Sequence, residues 1–315
     1  MDQDFGVIIG CCKQDLRYAV GCYESVRFFM PTTRVCFLYD GEAAPKFLES
    51  LPLASALDKR RVLNSWLKEN SFGAGITKMI CFFESPFENF LFLDADTIVC
   101  GDVSGIFNPN EYDLVVDKRS HFDDCEISKW FFDVDKFREF FPAFDYSQHR
   151  DDYFCTGMFF AKRGVFDLSR YREILDFTKR YPNVFKYWEM GFLNFLIFES
   201  KDLRKNRVLG LPYQLVASDH DGDALRKMFD SAIKNRSGCD RPSIFHFPNP
   251  KSFKFQTACY TYPMTYFREL WESKYRANMF LPKGTFVLAE DFKYIHYPKI
   301  KIAFRKCFNA ACRWR

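Results

Sequence analysis

Two aspartates separated by one small residue, Asp94-Ala95-Asp96, follow directly on the apolar run Phe90-Leu91-Phe92-Leu93. The run is far shorter than the ~20 apolar residues of a membrane span, so it reads as a buried strand ending in polar chemistry. Side chains on a strand alternate, which would point Asp94 and Asp96 the same way with Cα atoms about 6.6 Å apart. Ala95 leaves room between them. Two like charges at the mouth of an apolar strand repel, and one carboxyl would stay protonated unless a cation compensated them. Mg²⁺ or Mn²⁺ is the natural compensator, because hard divalent ions take oxygen ligands and keep positions open for water or phosphate. The pair therefore predicts a metal–diphosphate site.

Such a site needs a sheet to carry it. Val7-Ile8-Ile9-Gly10 reads as a first strand and Cys11 to Asp15 as the loop at its carboxyl end. Leu16, Ala19, Val20, Tyr23 and Val26 recur at helical spacing, and the pattern stops near Phe29-Met30-Pro31. Arg34 to Gly41 is a second strand, so the chain opens on a βαβ unit with a parallel sheet. Residues from Pro45 to Lys68 read as mostly helical, Phe72-Gly73-Ala74-Gly75 breaks the pattern, and Ile76 to Phe83 resumes a helix. The Asp94 strand is then about the third, and ligands of open α/β sheets bind outside the carboxyl ends of the strands. Later strands are expected at Tyr112–Val116, Phe154–Ala161 and Ser243–Phe247, with helices at Leu168–Lys179 and Met190–Phe198. The span Ser120 to Asp152 fits ordinary surface helices or an insertion facing an acceptor.

With 315 residues, 48% of them hydrophobic, the chain can bury a sizeable core, and disorder is excluded as its general state. The expected division is one catalytic domain over residues 1–260 and a helical, basic extension over 261–315. Aromatic residues make up 19%, 39 of them Phe, which fits a crowded core. The twelve cysteines lie at scattered spacings without paired Cys-x-x-Cys units, so they read as reduced core residues of a cytoplasmic protein. The amino terminus has no basic segment ahead of an apolar run, and no signal peptide is expected. From Phe292 onward there are seven Lys or Arg and no acid. Lys299 to Arg315, if helical, would lie on an anionic membrane surface with Phe304, Phe308 and Trp314 inserted; a solvated basic end or a nucleic-acid patch is the alternative.

The apolar-Asp-x-Asp-x-Thr string is also similar to the nucleophile motif of haloacid-dehalogenase-like phosphatases. In those the motif usually opens the domain, whereas here a βαβ unit precedes it; Asp123-Asp124 or Asp219-His220-Asp221 would stand in for their later acidic motif, and a Mg²⁺-dependent phosphatase stays as an alternative. Four pieces in order resemble instead the glycogenin-like retaining glycosyltransferases of family eight, which include lipopolysaccharide galactosyl- and glucosyltransferases. They are Phe72-Gly73-Ala74-Gly75-Ile76-Thr77-Lys78; Phe92-Leu93-Asp94-Ala95-Asp96-Thr97 with Gly101-Asp102; Cys155-Thr156-Gly157-Met158-Phe159; and Ile244-Phe245-His246-Phe247 with Lys251. Together they cover roughly residues 5–255.

The resemblance implies an α/β GT-A fold with a mostly parallel sheet flanked by helices. It also implies Mn²⁺- or Mg²⁺-dependent transfer of a hexose from a nucleotide-sugar, UDP-glucose or UDP-galactose, to a glycan, glycolipid or glycoprotein acceptor, with retention. No nucleic-acid partner is expected. Carried over, Asp94, Asp96 and His246 would hold the metal, and Lys78 and Lys251 would stabilise charge on the leaving diphosphate. Gly10, Cys11, Cys12, Asp15, Lys78, Asp94, Ala95, Thr156, Gly157, Asn249 and Lys251 would line the donor site. Three departures stand out. Asn249 replaces the glycine of the late motif, Cys11 to Asp15 replaces the usual nucleotide-reading residues, and Glu189-Met190-Gly191 keeps one carboxylate of an Asp-Gln-Asp segment. Glu189 would orient acceptor, stabilise an oxocarbenium-like centre, or only cap its helix. A silent sugar-nucleotide-binding or glycan-binding module is the alternative to an enzyme.

Overall fold

The computed structural model describes residues 4–73, 75–119, 121–187, 189–235, 243–248, 262–275 and 284–293. Strand β1 (Phe5–Cys12), helix α1 (Leu16–Phe29) and strand β2 (Arg34–Asp40) form the expected βαβ unit. Strand β3 (Ala54–Leu57), helices α2 (Ser65–Asn70) and α3 (Cys81–Glu84), and strands β4 (Asn89–Asp94) and β5 (Thr97–Cys100) follow. Next come β6 (Leu114–Asp117), α4 (Asp124–Trp130), α5 (Val134–Phe140), β7 (Met158–Lys162), α6 (Leu168–Arg180) and α7 (Glu189–Asp202). The described chain closes with β8 (Val208–Leu211), β9 (Gln214–Val216), α8 (Gly222–Asn235), β10 (Ser243–His246), α9 (Tyr262–Tyr275) and a helical segment at 285–293.

The main sheet has the order β3-β2-β1-β4-β7-β6-β8, and only β7 runs against its neighbours. Alternation along the central strands sorts their side chains. Val7, Ile9, Val35, Phe37, Leu91 and Leu93 face a core shared with α1, α8 and α9, whereas Ile8, Cys36, Leu38, Phe90 and Phe92 face one shared with α2, α3 and α5 to α7. Helices on both faces force these strands to be apolar throughout, which is why they were legible as continuous runs. A smaller sheet, β5-β10-β9, completes the first core.

Three expectations are corrected. The stretch Pro45 to Lys68 holds a 3-10 turn at Lys46–Leu48, strand β3 and only a short α2. Strand β3 reads Ala-Ser-Ala-Leu, which has no β-forming character, and it exists because β2 offers an edge for pairing. The Asp94 strand is therefore the fourth in chain order. It also ends at Asp94: the chain turns at Ala95–Asp96 and leaves for the smaller sheet, so the two aspartates do not share one strand face.

Helix α9 packs on α1, with Phe267 against Phe28 and Phe29. The helices come so close that a Cβ at Gly21 would lie 2.9 Å from Met264 Sδ. Buried Arg268 of α9 donates to Asp291 at 2.8 Å, and Lys274 donates to the buried Glu24 of α1. Among the described residues no helix is long and apolar enough to cross a membrane. The basic stretch Lys299 to Arg315 lies outside the described residues.

In the second core Phe159 stacks between Phe82 and Phe92, 5.0 Å from each and nearly parallel to both. It is fully buried directly behind the end of β4. Phe159→Ala is expected to cost about 3–5 kcal/mol, read as a lower urea midpoint with an unchanged slope. A loss under about 1 kcal/mol would show that this stack does not support the sheet.

Candidate active site

The carboxyl ends of β1, β2 and β4 meet at one level, with Gly10 in register with Asp94 and Cys12 with Asp40. A cavity of about 350 Å³ opens there, lined by Gly10, Cys11, Cys12, Asp15, Leu38, Asp40, Gly75, Thr77, Lys78, Phe92, Asp94, Ala95, Asp96 and Glu189. The parallel sheet thus delivers three strand ends to a common mouth, as open α/β sheets do.

Backbone hydrogen bonds hold the turn after β4. Asp94 N donates to Gly157 O at 2.7 Å, Ala95 N to Gly10 O at 3.0 Å, and Thr97 Oγ1 to Asp94 O at 2.8 Å. On the other side, β10 pairs antiparallel with β5 so that His246 sits opposite Thr97, and Phe247 N donates to Asp96 O at 2.9 Å. Register alone therefore brings His246, far away in sequence, to Asp96. One donor atom from each of Asp94, Asp96 and His246 lies within 4.8 Å of the others. His246 Nε2 is 3.5 Å from Asp96 Oδ1.

Lys78 is 6% exposed and stands over the Phe92 ring. Its ammonium donates to Thr156 O at 3.0 Å and lies 3.3 Å from both Asp94 Oδ1 and Glu189 Oε1. Burial works against its charge, but Asp94 and Glu189 more than restore it, so the pKa rises above that of an ordinary lysine. Burial raises the pKa of Asp94, with Lys78 opposing and Asp96 adding to the rise. For His246 burial is outweighed by the hydrogen bonds with Asp96 and Cys155, and its pKa stands at about 10. Burial raises the Cys155 thiol, yet its contact with His246 brings the net shift down.

The loop before Lys78 requires its glycines. Gly75 has φ +84° and a Cβ there would lie 2.4 Å from Glu189 Oε2, so this position admits no side chain on two counts. Asp40 Oδ1 accepts from Gly73 N at 3.0 Å and ties this loop to the end of β2. Asn194 brackets the backbone of Phe154 with both ends of its amide, at 3.1 and 3.0 Å, and so holds the segment that presents Thr156 O to Lys78.

Most of the residues singled out in the sequence converge. Gly10, Cys11, Cys12, Asp15, Lys78, Asp94, Ala95, Asp96 and Glu189 line the cavity, and His246 joins the carboxylates. Thr156 and Gly157 lie behind them and do not line it. Asn249, Lys251 and Lys254 lie outside the described residues. The reading missed Asp40 and Thr77. Asp40 had a signal, since it closes a parallel strand as Asp94 does. Among the described lining residues five carboxylates face one ammonium, so a diphosphate would enter against its own sign of charge without a cation. Two carboxylates and one imidazole within ligating reach suit a divalent ion, Mn²⁺ better than Mg²⁺ because of the nitrogen.

Gly157 adjoins this group: a Cβ there would lie 2.6 Å from His246 Cε1 and 3.2 Å from Asp94 Oδ2. Gly157→Ala should push the histidine off the carboxylates and weaken Mn²⁺ binding by about tenfold or more, measured by calorimetry on folded protein. Unchanged affinity would show that these three side chains do not act as one site.

The chain matches no protein-family model and no curated protein. In structure it is similar to the galactosyltransferase LgtC solved with donor and acceptor sugar analogs, with TM-score 0.53 and 14% identity over 87% of this chain and 100% of that one. It is similar to the bifunctional glycosyltransferase WbbM, at 0.53 and 12% identity, covering 85% of this chain and 50% of that one. An active-site mutant of LgtC gives 0.51 and 15% identity, covering 83% and 94%. The chain thus has the GT-A fold of these glycosyltransferases, the fold class expected from its sequence.

Proposed function

We propose that this protein is a retaining glycosyltransferase that moves a hexose from a uridine diphosphate sugar, UDP-glucose or UDP-galactose, to a hydroxyl of a glycan, glycolipid or glycoprotein. The observation that carries the reading is the buried Lys78 ammonium clasped between Asp94 and Glu189 beside the Asp96–His246 pair, at the mouth of the central strands. LgtC, solved with donor and acceptor sugar analogs, shares the fold and lends support.

Asp94, Asp96 and His246 would hold a divalent ion, whose charge offsets that of the diphosphate. The ends of β1 and β2, from Gly10 to Asp15 and at Asp40, face the nucleoside half of the donor. Lys78 fixes the carboxylates of Asp94 and Glu189 in place and leaves the cavity less negative where the sugar–phosphate bond breaks. That bond cleaves with its electron pair leaving on the diphosphate. The acceptor oxygen bonds to the anomeric carbon on the same face, and its proton passes to the departing phosphate oxygen. Glu189, 3.3 Å from the Lys78 ammonium, stabilises positive charge developing on the sugar ring. Lys251 remains the candidate for a second contact with the diphosphate.

The test is release of UDP from UDP-glucose and UDP-galactose with Mn²⁺, alone and with a panel of glycan and glycolipid acceptors. Turnover is expected to fall at least about 100-fold in Asp96→Ala and in Lys78→Met. An Asp96→Ala protein that keeps both transfer and its metal dependence would contradict the reading.

A further inference from the structure

The third donor of the site, His246, can offer Nε2 to a cation only if the proton of its neutral ring sits on Nδ1. A buried N–H needs an acceptor, so some neighbour must hold that proton in place. Two side chains face Nδ1: the carboxamide of Gln214 at 2.7 Å and Cys155 Sγ at 3.9 Å. The nearer is the stronger candidate, since 2.7 Å is full hydrogen-bond distance.

Gln214 is 9% exposed, and its carboxamide oxygen is buried with no partner among the described residues. The nitrogen of the same amide stands against Nδ1. In that orientation the amide donates, Nδ1 keeps its lone pair, and the ring proton falls on Nε2, facing Asp96. A half-turn of the carboxamide exchanges oxygen and nitrogen without changing the shape of the side chain. The exchange brings the unpartnered oxygen to Nδ1–H and frees the Nε2 lone pair. The backbone around this contact is held at several points. Strand β9 pairs parallel with β10, Ile244 opposite Gln214, and Asp117 Oδ1 accepts from Gln214 N at 3.0 Å.

We propose that Gln214 is a positioning residue of the metal site: its carboxamide oxygen accepts Nδ1–H of His246 and so fixes the tautomer whose Nε2 faces Asp94 and Asp96. The inference rests on the metal site proposed above and adds a residue from a strand, β9, that carries no recognisable motif.

The experiment is Mn²⁺ titration of the full chain, without donor or acceptor, followed by the spin signal of free Mn²⁺. Gln214→Met, which fills the space but accepts no proton, is expected to bind 10- to 100-fold more weakly. Gln214→Glu, which keeps an acceptor oxygen, is expected within about threefold of wild type or tighter. Gln214→Met at wild-type affinity would overturn the proposal, and equal losses in both variants would reduce Gln214 to packing. Wild type that takes up no Mn²⁺ would overturn the metal reading as well, so the two failures are distinguishable. A second measurement needs no Gln214 variant. Nitrogen-15 spectra of histidine-labelled protein with diamagnetic Zn²⁺, assigned against His246→Gln, should show the proton of His246 on Nδ1, and a proton on Nε2 would contradict the proposal.

Discussion

The physical constraint on which the site depends is an excess of negative charge gathered where parallel strands end. Asp15, Asp40, Asp94, Asp96 and Glu189 share one cavity with Lys78. Like charges at this range repel more strongly near protein than in open water, so the cluster is stable only with positive charge placed inside it. Lys78 supplies part of that charge, to Asp94 and Glu189. Asp96 turns instead to His246. Lys78 is a permanent cation for Asp94 and Glu189, whereas the partner of Asp96 is an imidazole whose proton a divalent ion would displace.

The two sheets exist in the arrangement this division needs. Strand β4 carries Asp94 within the main sheet, and after the two-residue turn Ala95–Asp96 the chain enters β5, whose partner β10 brings His246. The handover is backed by the stacked rings of Phe82, Phe159 and Phe92 on one side and by α1, with α9 locked against it, on the other. The rings explain the phenylalanine content better than any surface role, for most described phenylalanines are buried or half-buried in the two cores. Close packing of this kind limits how far strand ends can drift, and a site made from three separate strands needs that limit.

What the sequence made legible follows from how each signal arises. Strands β1, β2, β4 and β10 are buried along their length, so their apolar runs stand out, and α1 shows its period in the spacing of Leu16, Ala19, Val20, Tyr23 and Val26 although Tyr18 to Val26 are buried without a break. Strands β3, β5, β8 and β9 have three or four residues each and owe their existence to partners distant in the chain. Asp94 and Asp96 were readable from residue type and spacing beside an apolar strand, and Lys78 through the resemblance of its glycine-containing loop to that of a family. Strand alternation predicts one shared face for the aspartate pair, but β4 ends at Asp94 and a turn rather than a pleat presents Asp96. His246 lay in a readable strand, but its meeting with Asp96 depends on register with β5. Gln214 had no local signal at all: its meaning comes only from the ring it touches.

The most direct measurement is calorimetric titration of UDP, GDP, CDP and ADP into the wild-type chain, with and without Mn²⁺. The charge balance of the cavity predicts that UDP binds with Mn²⁺ and loses most of its affinity without it, since the cation must precede or accompany the diphosphate. Binding of UDP at equal strength with and without Mn²⁺, or no binding of any of the four, would contradict the account.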